Sequence, residues 1–328
     1  MSNKEKISVC VIGAGIIGAG ILKQKKYLKI VNSKLHHVGT LSKLNDFNLK
    51  CIIENNLKIQ KILRSTYNCQ VSNSLASLSD EQTFDLVSIC VPDKKHYKFL
   101  NDVIKLKPKL VIIEKPISDN PDMSKEIINI YKKKKIKILV NYTRRFIPFY
   151  KDLANELMNQ KIISCQVLYG NGIMHNGCHI IDLVKLLFGA IKSYKILSLV
   201  KDYGINDPTV SVFFNTQKCP SCFFIGLDNR RFTHWEMNIY TDKFHYKIYN
   251  DHRELLVNKV KNNMGIPPGK RLVFHKKKEI NHDVAIRNLY LEARNIINNN
   301  SSWNHHLKSI IDTEELAYNI ASESLNKK

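Results

Sequence analysis

No stretch of this 328-residue sequence is apolar for long enough to cross a bilayer; each apolar run is short and broken by Lys, Asn or Gly. Membrane insertion is therefore not expected. The opening Met1-Ser2-Asn3-Lys4-Glu5-Lys6 leads directly into a strand pattern, so no signal peptide is read and a cytoplasmic location is expected. A disulfide framework is lacking too. There are eight cysteines, and Cys10, Cys51 and Cys90 lie inside apolar runs, where a thiol behaves as a small hydrophobe. Cys219-Pro220-Ser221-Cys222 is a CxxC with no second CxxC, no matching His pair and no thioredoxin-like surroundings. It reads as two thiols near a turn in preference to a redox or zinc motif. Internal repeats and low-complexity linkers are missing as well, so two closely joined domains are expected.

Acidic residues are scarce: 29 Asp and Glu stand against 51 Lys and Arg, giving a net charge of +22. A basic surface is the electrostatic footprint of nucleic-acid binding. Here the excess is spread along the chain, Lys greatly outnumbers Arg and Asn is abundant, a pattern an AT-rich genome produces without selection for a partner. The run Lys132-Lys133-Lys134-Lys135 closes a helical pattern, whose C-terminal end favours cations. Lys276-Lys277-Lys278 is placed between strand-like segments. Both read as solvated faces, so no nucleic-acid partner is expected, although the charge could help attract an anionic small molecule.

What is present is ordinary globular material, 44% hydrophobic and 24% charged, long enough for two cores. The first third alternates strand and helix. Short apolar runs at 7–12, 47–54, 85–91, 110–113 and 136–140 read as buried parallel strands, with a helical stretch from about Ile16 and a helix opened by Asn120-Pro121. This is the pattern of an α/β, doubly wound parallel sheet. After about Phe146 the character changes. A helix near 148–159 is followed by an alternating strand at 163–169, a Gly-rich loop and an apolar helix ending at Gly189. Strand-like segments at 194–200, 209–215, 222–227, 235–240 and 244–249 form a large, mostly antiparallel open sheet, and helices at 286–298 and 307–325 close the chain. The expected division is a nucleotide-binding domain over 1–120, with a strand and crossover to about 146, and an α+β domain over 121–328 for substrate binding and oligomerisation.

Gly13-Ala14-Gly15-Ile16-Ile17-Gly18 is a G-x-G-x-x-G that follows a buried strand and opens a helix, the Rossmann context that gives the motif meaning. Its glycines permit a tight turn, close approach to a pyrophosphate and helix–strand packing. The alternative is a plain Gly-rich strand–helix turn. Glu54, ending the second strand, is the candidate ribose acceptor, which favours NAD while NADP remains possible. It lies about 36 residues beyond Gly18 where about 20 is usual, and the surplus is assigned to a loop around His36-His37-Val38-Gly39-Thr40. The alternative for Glu54 is a polar residue that simply ends a strand.

Three more motifs occur in order: Glu114-Lys115-Pro116 after one strand, Asn141-Tyr142-Thr143-Arg144-Arg145-Phe146 after the next, and Gly177-Cys178-His179-Ile180-Ile181-Asp182 at a helix start. With the glycine motif, they make the chain resemble the glucose–fructose oxidoreductase/inositol dehydrogenase/MocA family over essentially its whole length. The His36-His37 segment and His175-Asn176-Gly177-Cys178-His179 look most like a branch associated with surface-polysaccharide sugar synthesis. Oxidising a secondary alcohol sends a hydride from carbon to nicotinamide and a proton from oxygen. A lysine beside the nicotinamide can bind that oxygen, and an imidazole can carry the proton. Lys115 and His179 are the candidates, and the resemblance implies the same roles and a Lys115–Pro116 peptide that is cis. The residue four before the histidine, commonly Asp in the family, is His175 here; on a helix it would share a face with His179. It takes over the Asp role as a relay, or the proton path differs. Asp182 could orient the His179 ring. A His175–His179 pair could also be half a metal site, but no third ligand is evident and no metal is expected.

Tyr142, Arg144, Arg145 and Asn176 are the expected substrate-positioning set, suited to hydroxyls or phosphate, with Asp182 beside them. The alternative for the arginines is structural pairing. Pro92 and His96 fall at family positions close to the cofactor, as do Glu114 and Lys115; a histidine opening a helix would look the same. The expected function is hydride transfer between NAD(P) and a secondary hydroxyl or ketone of a sugar or nucleotide sugar, in a homodimer or homotetramer. A non-catalytic NAD-binding sensor on the same fold and a nucleic-acid-binding protein are the alternatives.

Overall fold

The computed structural model describes residues 5–24, 27–30, 36–79, 81–265, 267–299 and 304–326. Strand β1 (Ile7–Ile12) is buried along almost its whole length. It leads into α1 (Ile16–Ala19), a hairpin of β2 (Ile21–Gln24) and β3 (Tyr27–Ile30), α2 (His37–Leu41), β4 (Phe47–Ile53), α3 (Leu57–Thr66) and β5 (Gln70–Ser72). Next come β6 (Leu86–Ile89), α4 (His96–Asp102), β7 (Leu110–Glu114), α5 (Pro121–Lys133) and β8 (Lys137–Asn141). The order β5-β4-β1-β6-β7-β8, parallel throughout, is that of a Rossmann sheet. The continuous apolar runs of its strands follow from burial on both faces. Asn120 caps α5 by accepting from the Asp122 N–H, with Pro121 in the first turn.

Two sequence expectations fail in this region. The helical stretch from Ile16 is a single turn, because Gly20 adopts φ 70° and ends it; the chain then enters the β2–β3 hairpin. The surplus before the second sheet strand is thus a hairpin and a short helix, and His37–Leu41 is helical, not loop.

The chain continues with α6 (Pro148–Leu157), β9 (Ile162–Tyr169), a π-helical turn at Gly172–Gly177 and α7 (Cys178–Phe188). Then follow β10 (Ile191–Gly204), β11 (Asp207–Thr216), β12 (Cys222–Gly226), β13 (Glu236–Thr241), β14 (Phe244–Tyr249), β15 (Glu254–Asn263) and β16 (Gly269–Glu279), before α8 (Ala285–Ile297) and α9 (Asn304–Asn326). The second sheet runs β10-β11-β12-β9-β13-β14-β15-β16, antiparallel except where β12 pairs with β9. Lys276, Lys277 and Lys278 lie inside edge strand β16, not between strands, and every residue of that strand is exposed.

Two compact units emerge: Met1–Phe146 with Asp283–Ile311, and Ile147–His282 with Asp312–Lys328. The sequence division placed 283–311 in the second domain. Helix α8 instead buries Ile286, Leu289, Tyr290, Ala293 and Ile296 in the core of the first unit, with Val9, Val11, Ile52 and Leu86. Among the described residues no helix is long and apolar enough to cross a membrane.

Candidate active site

The glycine loop sits where β1 meets β6, at the switch point of the parallel sheet. Gly13 has φ +90°, and a Cβ there would lie 2.6 Å from the Cys90 carbonyl oxygen. A Cβ on Gly18 would lie 2.0 Å from the Gly13 carbonyl oxygen, so the loop closes only with glycine at both places. Gly15 differs, because nothing lies within 4 Å of where its Cβ would be. Beside it Ile16 and Ile17 are 53% and 45% exposed, unusual for apolar residues at a sheet edge. The loop is held from the second sheet strand: the Gly13 N–H donates to the Ile53 carbonyl at 2.8 Å, and the Ala14 N–H donates to Glu54 Oε2 at 3.0 Å. Glu54 is buried and its Oε1 also accepts from the Asn56 N–H at 2.8 Å. The carboxylate therefore tethers the loop as well as ending the strand.

Glu114 ends β7, directly beside Asn141 at the end of β8. Its Oε1 accepts from Asn141 Nδ2 at 2.8 Å and lies 3.1 Å from His37 Nε2. Lys115 follows, half-buried, and the Lys115–Pro116 peptide is cis. His96 is buried at the start of α4, with Nδ1 2.6 Å from the Pro116 carbonyl oxygen and Nε2 2.9 Å from that of Val91. It ties the chain after β6 to the chain after β7, while Pro92 is exposed. Tyr142 is buried, Arg144 and Arg145 are half-buried, and Arg145 Nη2 donates to Ser309 Oγ at 3.1 Å. That bond gives Arg145 a structural use within the first unit.

The second unit presents a separate cluster on the π-helical turn, a geometry that recurs at functional sites. Gly172, at φ +74°, lets the turn pass so close to Asp207 that a Cβ would sit 2.4 Å from its carboxylate. Asp207 Oδ1 and Oδ2 accept from the N–H groups of Met174 and His175, at 2.7 and 2.8 Å. His175 is exposed, and its ring stacks on Tyr203 with centroids 4.5 Å apart and planes 19° from parallel. Asn176 Nδ2 donates to the Gly170 carbonyl at 2.9 Å, which fixes the turn. His179 is half-buried and Asp182 buried on the first turns of α7. Because residues 172–177 are π-helical, the uninterrupted α-helix that would stack positions 175 and 179 is not formed. Asp207 and Tyr203 were not found from sequence, since nothing local links β10 and β11 to a turn 32 residues earlier.

No cysteine pairs in a disulfide among the described residues. The Cys165 side chain beside it, together with burial, holds the Cys222 thiol well above its ordinary range, which leaves it inert. No cluster of three or more metal-ligating side chains occurs among the described residues.

Residues 12–142, which include the glycine loop, Glu54, Lys115 and Asn141, match the model of an oxidoreductase family with an NAD-binding Rossmann fold. The likeness to this oxidoreductase family covers that segment, less than half of the chain. An uncharacterised oxidoreductase of Bacillus subtilis, YrbE, is 25% identical over 152 residues, which is 46% of this chain and 41% of that protein. The match thus spans less than half of the relative's length. A dehydrogenase from Chromobacterium violaceum superposes with a TM-score of 0.77 at 12% identity, over 98% of this chain and 96% of the other. A 3-ketoreductase from Actinomadura kijaniata, solved with TDP-benzene and NADP, superposes with a TM-score of 0.72 at 11% identity, over 95% and 96%. At such identities these likenesses establish the fold alone.

The geometry of the glycine loop fits a dinucleotide of the kind that the matched family binds. Open space in front of Gly15 allows a pyrophosphate to approach the backbone, and exposed Ile16 and Ile17 supply apolar surface to cover. The one-turn helix adds little macrodipole, so binding falls to the loop amides and not to a long helix N-terminus.

Proposed function

We propose that the protein transfers a hydride between NAD(P) and a secondary hydroxyl or ketone of a sugar or nucleotide sugar, in the synthesis of surface-polysaccharide sugars. The observation that carries this reading is Lys115, placed by β7 at the C-terminal edge of a Rossmann sheet whose glycine loop is open at Gly15. When bound, the nicotinamide supplies the hydride acceptor or donor. Lys115 binds the reacting oxygen and stabilises charge on it. His179 moves the proton, and His175, held by Asp207 and Tyr203, stands in for the acidic residue usual at its position. Glu54 accepts from the adenosine ribose hydroxyls and disfavours a 2′-phosphate. Pro92, His96, Glu114 and Lys115 line the cofactor; Tyr142, Arg144, Asn176 and Asp182 serve the substrate. The exposed apolar residues of the second unit's sheet, Leu197, Phe223 and Phe274 among them, support a homodimer or homotetramer.

Turnover of a panel of sugars, inositols and nucleotide sugars, followed at the nicotinamide absorbance, tests the reading. Lys115→Ala and His179→Ala are each expected to lose about 10²–10⁴-fold in turnover while retaining cofactor affinity. A folded Lys115→Ala protein with wild-type turnover on its substrate would sink the assignment.

A further inference from the structure

His37, Tyr290 and Ser88 play no part in the roles above, yet each is fully buried within the first unit. They form a single file. Ser88 Oγ on β6 lies 2.9 Å from Tyr290 Oη on α8, and Tyr290 Oη lies 2.7 Å from His37 Nδ1 on α2. His37 Nε2 then lies 3.1 Å from Glu114 Oε1 at the end of β7. The hydrogens can be placed by counting donors. An ionised carboxylate only accepts, so His37 Nε2 donates to Glu114. A neutral ring then accepts at Nδ1, which requires the Tyr290 hydroxyl to donate there, and the Tyr290 oxygen is left to accept from Ser88. Burial pushes the Tyr290 phenol well above its ordinary value, so it keeps the proton it must donate. With Glu114 ionised and the His37 ring neutral, every donor in the file points toward Glu114.

Stability alone gives little reason for such a file. Replacing both partners of a buried polar contact with apolar groups of similar shape is often neutral or stabilising. What the file does fix is the tautomer of His37, and through it one oxygen of Glu114. His37 and Asn141 both engage Oε1, while the Glu114 side chain keeps 19% exposure against none for His37. Upstream, His36 caps α2 by accepting the Gly39 N–H on Nδ1, and burial lowers its pKa in keeping with an unprotonated acceptor.

We propose that His37 is a positioning residue for the cofactor: the Ser88–Tyr290–His37 file clamps Oε1 of Glu114, so that the carboxylate is held in one orientation as an acceptor for the hydroxyls of the bound dinucleotide. This rests on the reading that the protein binds NAD(H). Full-length protein and its variants are titrated with NADH by fluorescence, and the melting temperature of each is measured without cofactor. The double variant His37→Leu/Tyr290→Phe removes both ends of the contact. It is expected to melt within a few degrees of wild type and to bind NADH about tenfold more weakly. His37→Gln, which keeps a donor toward Glu114, is expected to recover affinity to within about threefold of wild type. Should the double variant not fold, Tyr290→Phe removes a single oxygen atom and is expected to weaken binding about threefold. Wild-type affinity in a folded protein lacking the His37 imidazole and any donor in its place overturns the inference, as does His37→Gln binding no better than His37→Leu, or wild-type affinity in Tyr290→Phe. A wild-type protein that does not bind NADH overturns the cofactor reading itself, and this inference with it.

Discussion

Gly15 and Gly18 sit three residues apart in one motif, yet their surroundings demand opposite outcomes from the same substitution. An alanine methyl at Gly15 meets nothing within 4 Å, and the backbone there is extended at φ −72°, which any residue accepts. Gly15→Ala is therefore expected to keep the melting temperature of wild type while weakening NADH binding about tenfold or more, because the methyl occupies space the pyrophosphate needs. At Gly18 the methyl would meet the Gly13 carbonyl oxygen at 2.0 Å, so Gly18→Ala must open the loop. A destabilisation of about 1–3 kcal/mol is expected, with binding lost as well. Paired melting and titration measurements on both variants check this. Equal melting losses would mean that Gly15 serves packing and not a ligand. Glu54 does more than end its strand, since its carboxylate holds the Ala14 N–H 40 residues away in the chain.

Among the elements, β6 is locked to β1 and to the strand after it by one carboxylate. Asp85 Oδ2 accepts from the N–H and the hydroxyl of Ser8, at 2.9 and 2.7 Å, and Oδ1 pairs with Lys109 at 2.8 Å. Burial works to raise its pKa, but the Lys109 and Ser8 contacts outweigh it, so the net shift is downward. A depressed carboxylate contributes stability above its unfolded pKa of about 3.9 and loses it as pH falls through the lower folded value. Asp85→Ala should thus cost about 1 kcal/mol at neutral pH, discounted for partial exposure, and the gap to wild type should close in acid. Denaturant unfolding of both proteins across that range checks the sign.

The five strands of the first sheet named above were legible because parallel strands buried on both faces read as unbroken apolar runs. The α5 start was legible because Asn120-Pro121 carries its own capping chemistry. The β2–β3 hairpin was not, since Ile16 to Ile30 offers a mixed pattern that reads as continued helix until Gly20 is seen in the left-handed region. Strand β16 was obscured by its own exposure: a lysine-rich edge strand has no buried face to imprint a period of two. At the candidate site, the glycines, Glu54 and Lys115 announce themselves through local motifs. Asp207, Tyr203 and Tyr290 do not, because their contacts reach across 28 to 253 residues of chain that no local pattern records.

For the molecule as a whole, the charge of +22 and the open sheet of the second unit invite different partners. Self-association is the expected outcome: light scattering should report a homodimer or homotetramer, and a monomer at every concentration would contradict it. Tight binding to duplex DNA at physiological salt would instead point to the charge as the working surface. The proposal that this chain is a nicotinamide-dependent oxidoreductase is checked by titrating the purified protein with NADH and with NADPH and following nicotinamide fluorescence. Saturable binding of both or of NADH alone is expected, tighter for NADH because a Glu54 carboxylate at the ribose would disfavour a 2′-phosphate. Absence of saturable binding by either cofactor would contradict it.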